Sequence, residues 1–259
     1  MFHPFKGKRI HSVAFGNGAE TVVAIPGSIA NWEVWLPTLE VLANGHSVVA
    51  IDHAGVGQSK VSADEISFDL QIELLEAVVE SRGLVRFVLL GDSSNVAVAL
   101  EFALRNRSAV GALVLTAGVP WAFDTPEVRR FVDAIKEDFD GTTARFAKAC
   151  FPEHNSEHLA EWLRDMIIRT GPAGVVAILE SYYPIDLRDR LDQINVPCLV
   201  LGGSDDRIAS EGLSGLRGLA DSLPDSELAI IEGAGHVPSM SRPAEMAKLI
   251  ASFIGRRMT

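Results

Sequence analysis

One serine in this chain stands where a hydroxyl can be made into a nucleophile. Ser93 follows the apolar run 87–90 and the pair Gly91-Asp92, and it precedes Ser94-Asn95 and a helical pattern over residues 96–102. Strand, tight turn and helix in that order lift the hydroxyl at the bend out of the backbone ribbon and point it above a sheet edge. A serine hydroxyl is a weak nucleophile at neutral pH. It needs a base to take its proton, a group to orient that base, and donors for the oxyanion that attack creates. The chain holds a candidate for each, and each falls where an apolar run ends.

The base candidate is His236, in the glycine-rich stretch Gly233-Ala234-Gly235-His236 after the last apolar run. An imidazole titrates near neutrality, so it can serve as general base at physiological pH. Of the seven histidines only His53 shares a comparable strand-end setting, and it is read as structural. The orienting acid falls in Gly203-Ser204-Asp205-Asp206-Arg207. Asp205 and Asp206 both qualify, and Asp206 is preferred. The order Ser, Asp, His along the chain is one of three unrelated triad orders, the one that accompanies a strand–turn–helix serine. Two backbone N–H groups are expected to receive the oxyanion. One belongs to Ser94, at a helix N-terminus whose dipole favours negative charge. The other belongs to Ser28, in the loop Pro26-Gly27-Ser28-Ile29 after an earlier apolar run. Ile29, Trp121 and Val237 border these positions and are expected to line a substrate pocket.

These residues need a frame to bring them together. Runs at 21–25, 47–51, 87–90, 111–115, 198–201 and 228–231 are β-rich and continuously apolar. That is the pattern of parallel strands buried on both faces. Leu70, Leu74, Leu75, Val78 and Val79 recur at helical spacing between two of them, as do Met246, Leu249, Ile250 and Phe253 near the end. Alternating strands and helices predict an α/β fold, a mostly parallel central sheet flanked by helices. Residues 121–191 break the alternation. They carry helical stripes (Val128, Phe131, Val132 and Ile135; Leu159, Trp162, Leu163, Met166 and Ile167) and no strand. This reads as a helical lid inserted between two strands, dividing the core into residues 1–120 and 192–259. It would roof the carboxyl edge of the sheet, where open α/β sheets bind ligands. Gly171 and Gly174 offer it hinges.

The 259 residues, 47% of them hydrophobic, suffice for one α/β domain with a substantial core. The formal net charge of -11 disfavours nucleic acid and anionic lipid as partners. Cys150 and Cys198 lie far apart and outside any Cys/His cluster, which argues against a zinc site or disulfide framework. The N-terminus lacks the apolar core of a signal peptide and no apolar run reaches membrane-spanning length, so a soluble cytoplasmic protein is expected. Oligomeric state is not readable.

Together the motifs resemble the α/β-hydrolase fold family over nearly the whole chain. Ile25-Pro26-Gly27-Ser28 is similar to that family's oxyanion loop. Asp52-His53-Ala54-Gly55-Val56-Gly57-Gln58-Ser59 is similar to its D-x-x-G-x-G-x-S turn. Gly91-Asp92-Ser93-Ser94-Asn95 stands at the nucleophile elbow, and Asp206 and Gly233-Ala234-Gly235-His236 stand at the acid and histidine positions. Two residues depart from the family pattern: Asn95 stands where the elbow usually ends in glycine, and Pro26 stands where the oxyanion loop usually begins with histidine. The resemblance implies a cap domain matching the insertion, no metal and no organic cofactor. It implies a serine hydrolase that cleaves a small or medium carboxylic ester, or a related carbonyl compound, through an acyl-enzyme. Lactonase or carbon–carbon bond hydrolysis on the same triad is the alternative, as is a slow-turnover ligand-binding or signalling protein, which Asn95 and Pro26 motivate. Some relatives place the acid after an earlier strand, which makes Asp124 its runner-up.

Overall fold

A computed structural model of the protein describes residues 1–209 and 211–258. Among these residues eight strands form one sheet, in the order β1-β2-β4-β3-β5-β6-β7-β8. The strands are β1 (Phe2–Phe5), β2 (Lys8–Phe15), β3 (Thr21–Ile25), β4 (Ser47–Ile51), β5 (Phe87–Asp92), β6 (Val110–Thr116), β7 (Cys198–Gly203) and β8 (Ser226–Ile231). β3 to β8 run parallel, while β1 and β2 form an antiparallel hairpin along β4. The helices that connect them are α1 (Leu36–Leu42), α2 (Phe68–Ser81), α3 (Asn95–Arg105), α4 (Pro126–Glu137), α5 (Phe139–Cys150), α6 (Glu157–Thr170), α7 (Pro172–Ser181), α8 (Gly212–Ser222), α9 (Pro238–Ser241) and α10 (Pro243–Arg257).

Local chemistry explains the regular elements. In α2 the Ser67 hydroxyl accepts from the Leu70 N–H and caps the first turn, while Leu70, Leu74, Leu75, Val78 and Val79 make one buried stripe. The inner strands β5, β6 and β7 are buried along their whole length, as continuously apolar runs require. β8 departs from the expected burial on both faces: it is the sheet's last strand, paired only with β7, and most of its residues are partly exposed.

The hairpin β1–β2 is an addition to the expected strands. Lys6 and Gly7 both take positive φ, the backbone of a two-residue hairpin turn. Buried polar side chains stand on both of its faces, which hides the period-two apolar pattern. His3 bonds Ser81 Oγ at 2.8 Å and Ser12 Oγ at 2.7 Å, and His11 Nδ1 lies 2.8 Å from Asp52 Oδ2.

The strand order decides where a site can form. From β3 the chain steps outward to β4, then returns past β3 to β5 and continues in the opposite direction. The carboxyl ends of β3 and β5 are therefore a topological switch point, where the following loops diverge and leave a crevice. The loop at Pro26 and the turn at Ser93 face each other there. Between β6 and β7, α4 to α7 pack on one another in the segment expected to be helical. Among the described residues no helix is long and apolar enough to cross a membrane.

Candidate active site

Ser93 sits directly after β5 with φ of 54°, a left-handed conformation uncommon for a residue with a side chain. Its surroundings over-determine that strained turn. The Ser93 N–H donates to Thr116 O at 2.8 Å, tying the bend to the end of β6. Two glycines let neighbouring backbone come close. A Cβ on Gly91 would lie 2.7 Å from both Asn95 O and Ala99 Cβ, and one on Gly118 would lie 2.2 Å from Ser93 O. Strain kept in this way at one polar side chain is characteristic of functional sites.

His236 reaches Ser93 from the loop between β8 and α9. Its Nε2 lies 3.0 Å from Ser93 Oγ and its Nδ1 lies 2.9 Å from Asp206 Oδ2. The second oxygen of Asp206 accepts the N–H groups of Ile208 at 2.8 Å and Ala209 at 3.1 Å, which leaves Oδ2 to the imidazole. Burial alone would lower the His236 pKa, but the Asp206 charge and hydrogen bond, with the Asp92 charge beside them, raise it above its ordinary value. Burial works against the Asp206 carboxylate too, yet His236 and the two backbone donors hold it below its ordinary value. Asp205, the other acid considered, is exposed and directs its carboxylate at Ser204 Oγ. Asp124 is exposed and paired with Arg129.

The Ser28 and Ser94 backbones border the same space, and among the described residues neither N–H donates a hydrogen bond. Ser94 caps α3, so its N–H lies at the positive end of that helix. A cavity of about 460 Å³ opens above Ser93. Ile29, Trp121 and Val237 line it, with Phe131, Phe146 and Leu179 from the helical insertion. The Trp121 indole N–H is held by Glu211 Oε1 at 3.1 Å. Among the described residues no three His, Cys, Asp or Glu side chains group as metal ligands. Asn95 is fully buried and lies outside the cavity lining. His53 is buried, bonded to Gln71, and kept neutral by burial.

Three features of the site escape a reading of the motifs. Asp92, beside the serine, is buried against the cavity with Thr116 Oγ1 donating to it at 2.7 Å. Burial raises its pKa to about 6. The middle of the insertion, at the end of α5, grips the histidine loop: His236 N–H donates to Cys150 O at 2.9 Å, and Gly235 N–H to Glu153 Oε1 at 3.0 Å. Tyr182 donates its hydroxyl to Asn95 Oδ1. Only the Asp92 position carried a local signal, the Gly-Asp-Ser sequence itself.

A sequence model described as the alpha/beta hydrolase family matches residues 22–249. The chain belongs to that family. It is 27% identical over 250 residues to a pimeloyl-[acyl-carrier protein] methyl ester esterase of Nitrosomonas europaea, covering 91% of this chain and 96% of that one. Among solved structures, a thermophilic esterase from Thermogutta terrifontis superposes with a TM-score of 0.90 at 24% identity, over 100% of this chain and 99% of its own. The enol-lactonase from Burkholderia xenovorans superposes with a TM-score of 0.88 at 18% identity, over 98% and 100%. At such identities the structural likeness speaks for the fold. Family membership and the named esterase and hydrolase relatives make this chain a hydrolase.

Proposed function

We propose that this hydrolase cleaves carboxylic esters of small or medium, largely apolar acyl groups through an acyl-enzyme on Ser93. Ser93 Oγ attacks the ester carbonyl carbon while His236 Nε2 takes its proton. Asp206 holds the imidazole in the tautomer that presents Nε2 and stabilises the imidazolium. The Ser28 and Ser94 N–H groups receive the oxyanion, which gains charge as the tetrahedral centre forms. Collapse expels the alcohol, to which His236 returns the proton. Water, deprotonated by the same imidazole, then attacks the acyl-enzyme and releases the carboxylic acid and free Ser93. Residues 121–191 act as a cap whose apolar side chains seat the acyl group.

The observation that carries this reading is the continuous contact from Ser93 and His236, both in the cavity lining, to Asp206 behind them. The esterase relative points the same way. Asn95, which had motivated a slow-turnover alternative, does not project into the cavity.

The test is fluorophosphonate labelling with peptide mass spectrometry, run beside hydrolysis of p-nitrophenyl esters of graded acyl length. Labelling is expected on Ser93, and its rate should collapse in His236→Ala. Ser93→Ala should lose about 10⁴-fold or more in kcat with its fold intact. Undiminished turnover in Ser93→Ala would refute the assignment.

A further inference from the structure

Asn95 occupies a crowded place. It is the first residue of α3, immediately behind the Ser93-Ser94 turn, and it is fully buried. A buried carboxamide is costly unless both of its ends are bonded. Here both are, and the partners come from separate parts of the molecule. Asn95 Nδ2 donates to Pro26 O at 2.6 Å, across 69 residues of chain. Asn95 Oδ1 accepts from the Tyr182 hydroxyl, just beyond α7 in the insertion. The orientation of the amide is not ambiguous, because a carbonyl can only accept. The NH₂ end must therefore face Pro26, and the oxygen is left to Tyr182.

The Pro26 carbonyl opens the oxyanion loop. It belongs to the peptide joining Pro26 to Gly27, and the next peptide carries the Ser28 N–H. That second peptide is also held, since Gly27 O accepts the Ala30 N–H at 3.0 Å. In a trans peptide the C=O and N–H point in opposite directions. Fixing Gly27 O on Ala30 thus turns the Ser28 N–H the other way, and fixing Pro26 O sets the peptide before it. Asn95 supplies the side-chain hydrogen bond to the first of these carbonyls. Its own partner is immobile: Tyr182 is 1% exposed, and its ring packs against Phe68 and Phe123 with centroids 5.7 and 5.2 Å away.

We infer that Asn95 is a positioning residue for the oxyanion site, fixing through Pro26 the peptide that presents the Ser28 N–H and tying it through Tyr182 to the helical insertion. The inference rests on the proposed role of the Ser28 and Ser94 amides. It gives the departure from glycine at this position a physical purpose. The side chain connects three segments, whereas glycine would leave the Pro26 carbonyl and the Tyr182 hydroxyl without this partner.

The experiment compares wild type, Asn95→Gly, Tyr182→Phe and the double variant in p-nitrophenyl butyrate hydrolysis and in hydrogen exchange of the peptide spanning residues 25–31. Loss of a direct oxyanion donor costs about 10²–10³ in kcat. A misaligned donor should cost less, so Asn95→Gly is expected to lose about 10- to 100-fold in kcat with KM little changed. The acid limb of its pH profile should stay in place, because His236 and Asp206 are untouched. Tyr182→Phe should shift kcat in the same direction by less. The double variant should be no worse than Asn95→Gly, since both act through one connection. Exchange in residues 25–31 should quicken in both single variants while residues 87–92 stay protected. Wild-type kcat in Asn95→Gly with unchanged exchange would overturn the inference, as would a loss of kcat matched by loosening throughout the fold. If wild type itself hydrolyses no ester, the functional reading fails on its own account, and exchange in residues 25–31 still decides whether Asn95 holds the loop.

Discussion

At the scale of single residues, the proposed mechanism makes the pH at which Ser93 becomes reactive depend on the environment of one imidazole. His236 must be neutral to accept the serine proton, so activity rises as pH increases through its pKa. Burial favours the neutral ring, but the Asp206 charge and its hydrogen bond at 2.9 Å, with the Asp92 charge beside them, together outweigh burial and hold that pKa above its ordinary value. The acid limb of kcat/KM should therefore lie above that of an ordinary imidazole in the wild type. Asp206→Asn removes the opposing charge and leaves the burial in place. Its acid limb should move to lower pH, and kcat should fall by about 10⁴-fold, as when a triad aspartate is neutralised and the wrong imidazole tautomer is favoured. A pH–rate series from 5 to 9 on both proteins checks this. An acid limb in Asp206→Asn at or above the wild-type position would show that Asp206 does not set the His236 pKa.

At the scale of elements, the insertion does more than cover the cavity. The end of α5 clasps the histidine loop through Cys150 O and Glu153 Oε1, and a Cβ on Gly235 would lie 2.3 Å from Pro152 Cδ. This part of the insertion is fastened to the loop that carries His236. Displacing reacting groups by about 1 Å can cost on the order of 100-fold in rate. Glu153→Ala should accordingly lower kcat about 10-fold, whereas Glu153→Gln, whose amide oxygen can still accept the Gly235 N–H, should retain most of it. Steady-state kinetics of the two variants separates this contact from general packing, because equal losses would show that the hydrogen bond is not what matters. The same contacts explain how far the sequence could be read. The inner strands, α2, α10 and the order of Ser93, Asp206 and His236 were legible because each is announced by its own neighbours: an apolar run, a repeat at helical spacing, a glycine-flanked turn. The β1–β2 hairpin was hidden by the buried polar residues His3, His11 and Ser12, which interrupt its apolar alternation. The contacts of Glu153 with Gly235 and of Tyr182 with Asn95 join segments 82 and 87 residues apart, and no local pattern marks them.

At the scale of the whole molecule, the buried carboxyl of Asp92 couples the site to the stability of the fold. It lies at the end of β5, between the hydroxyl of Thr116 and the oxyanion loop, where a Cβ on Gly27 would come within 3.2 Å of its Oδ2. Burial, reinforced by the Asp206 charge, raises its pKa from 3.8 to about 6, against the pull of His236 and Thr116. A carboxyl with a raised folded-state pKa keeps its proton in the native protein while the unfolded chain has already released it. Between about pH 4 and pH 6 the native state thus binds more protons, and this residue's contribution to stability falls as pH rises. A shift of about two units amounts to about 3 kcal/mol once the carboxyl is fully ionised, a sizeable share of the 5–15 kcal/mol typical of a folded domain. Asp92→Asn cannot ionise, so its stability relative to wild type should climb by about 2 kcal/mol from pH 4 to pH 6 and level off above pH 7. How well the amide suits Thr116 and Gly27 sets a constant offset between the two proteins and leaves the slope untouched. Carboxylates remote from the site titrate alike in both and cancel in the difference, whereas Asp206 and His236, whose charges act on Asp92, contribute to it. Urea unfolding of the pair at half-unit steps reads this slope directly. A difference that is flat from pH 4 to pH 7 would mean that Asp92 ionises in the native protein near the ordinary carboxylate range, and that the interior beside Ser93 accommodates its charge without cost to the fold.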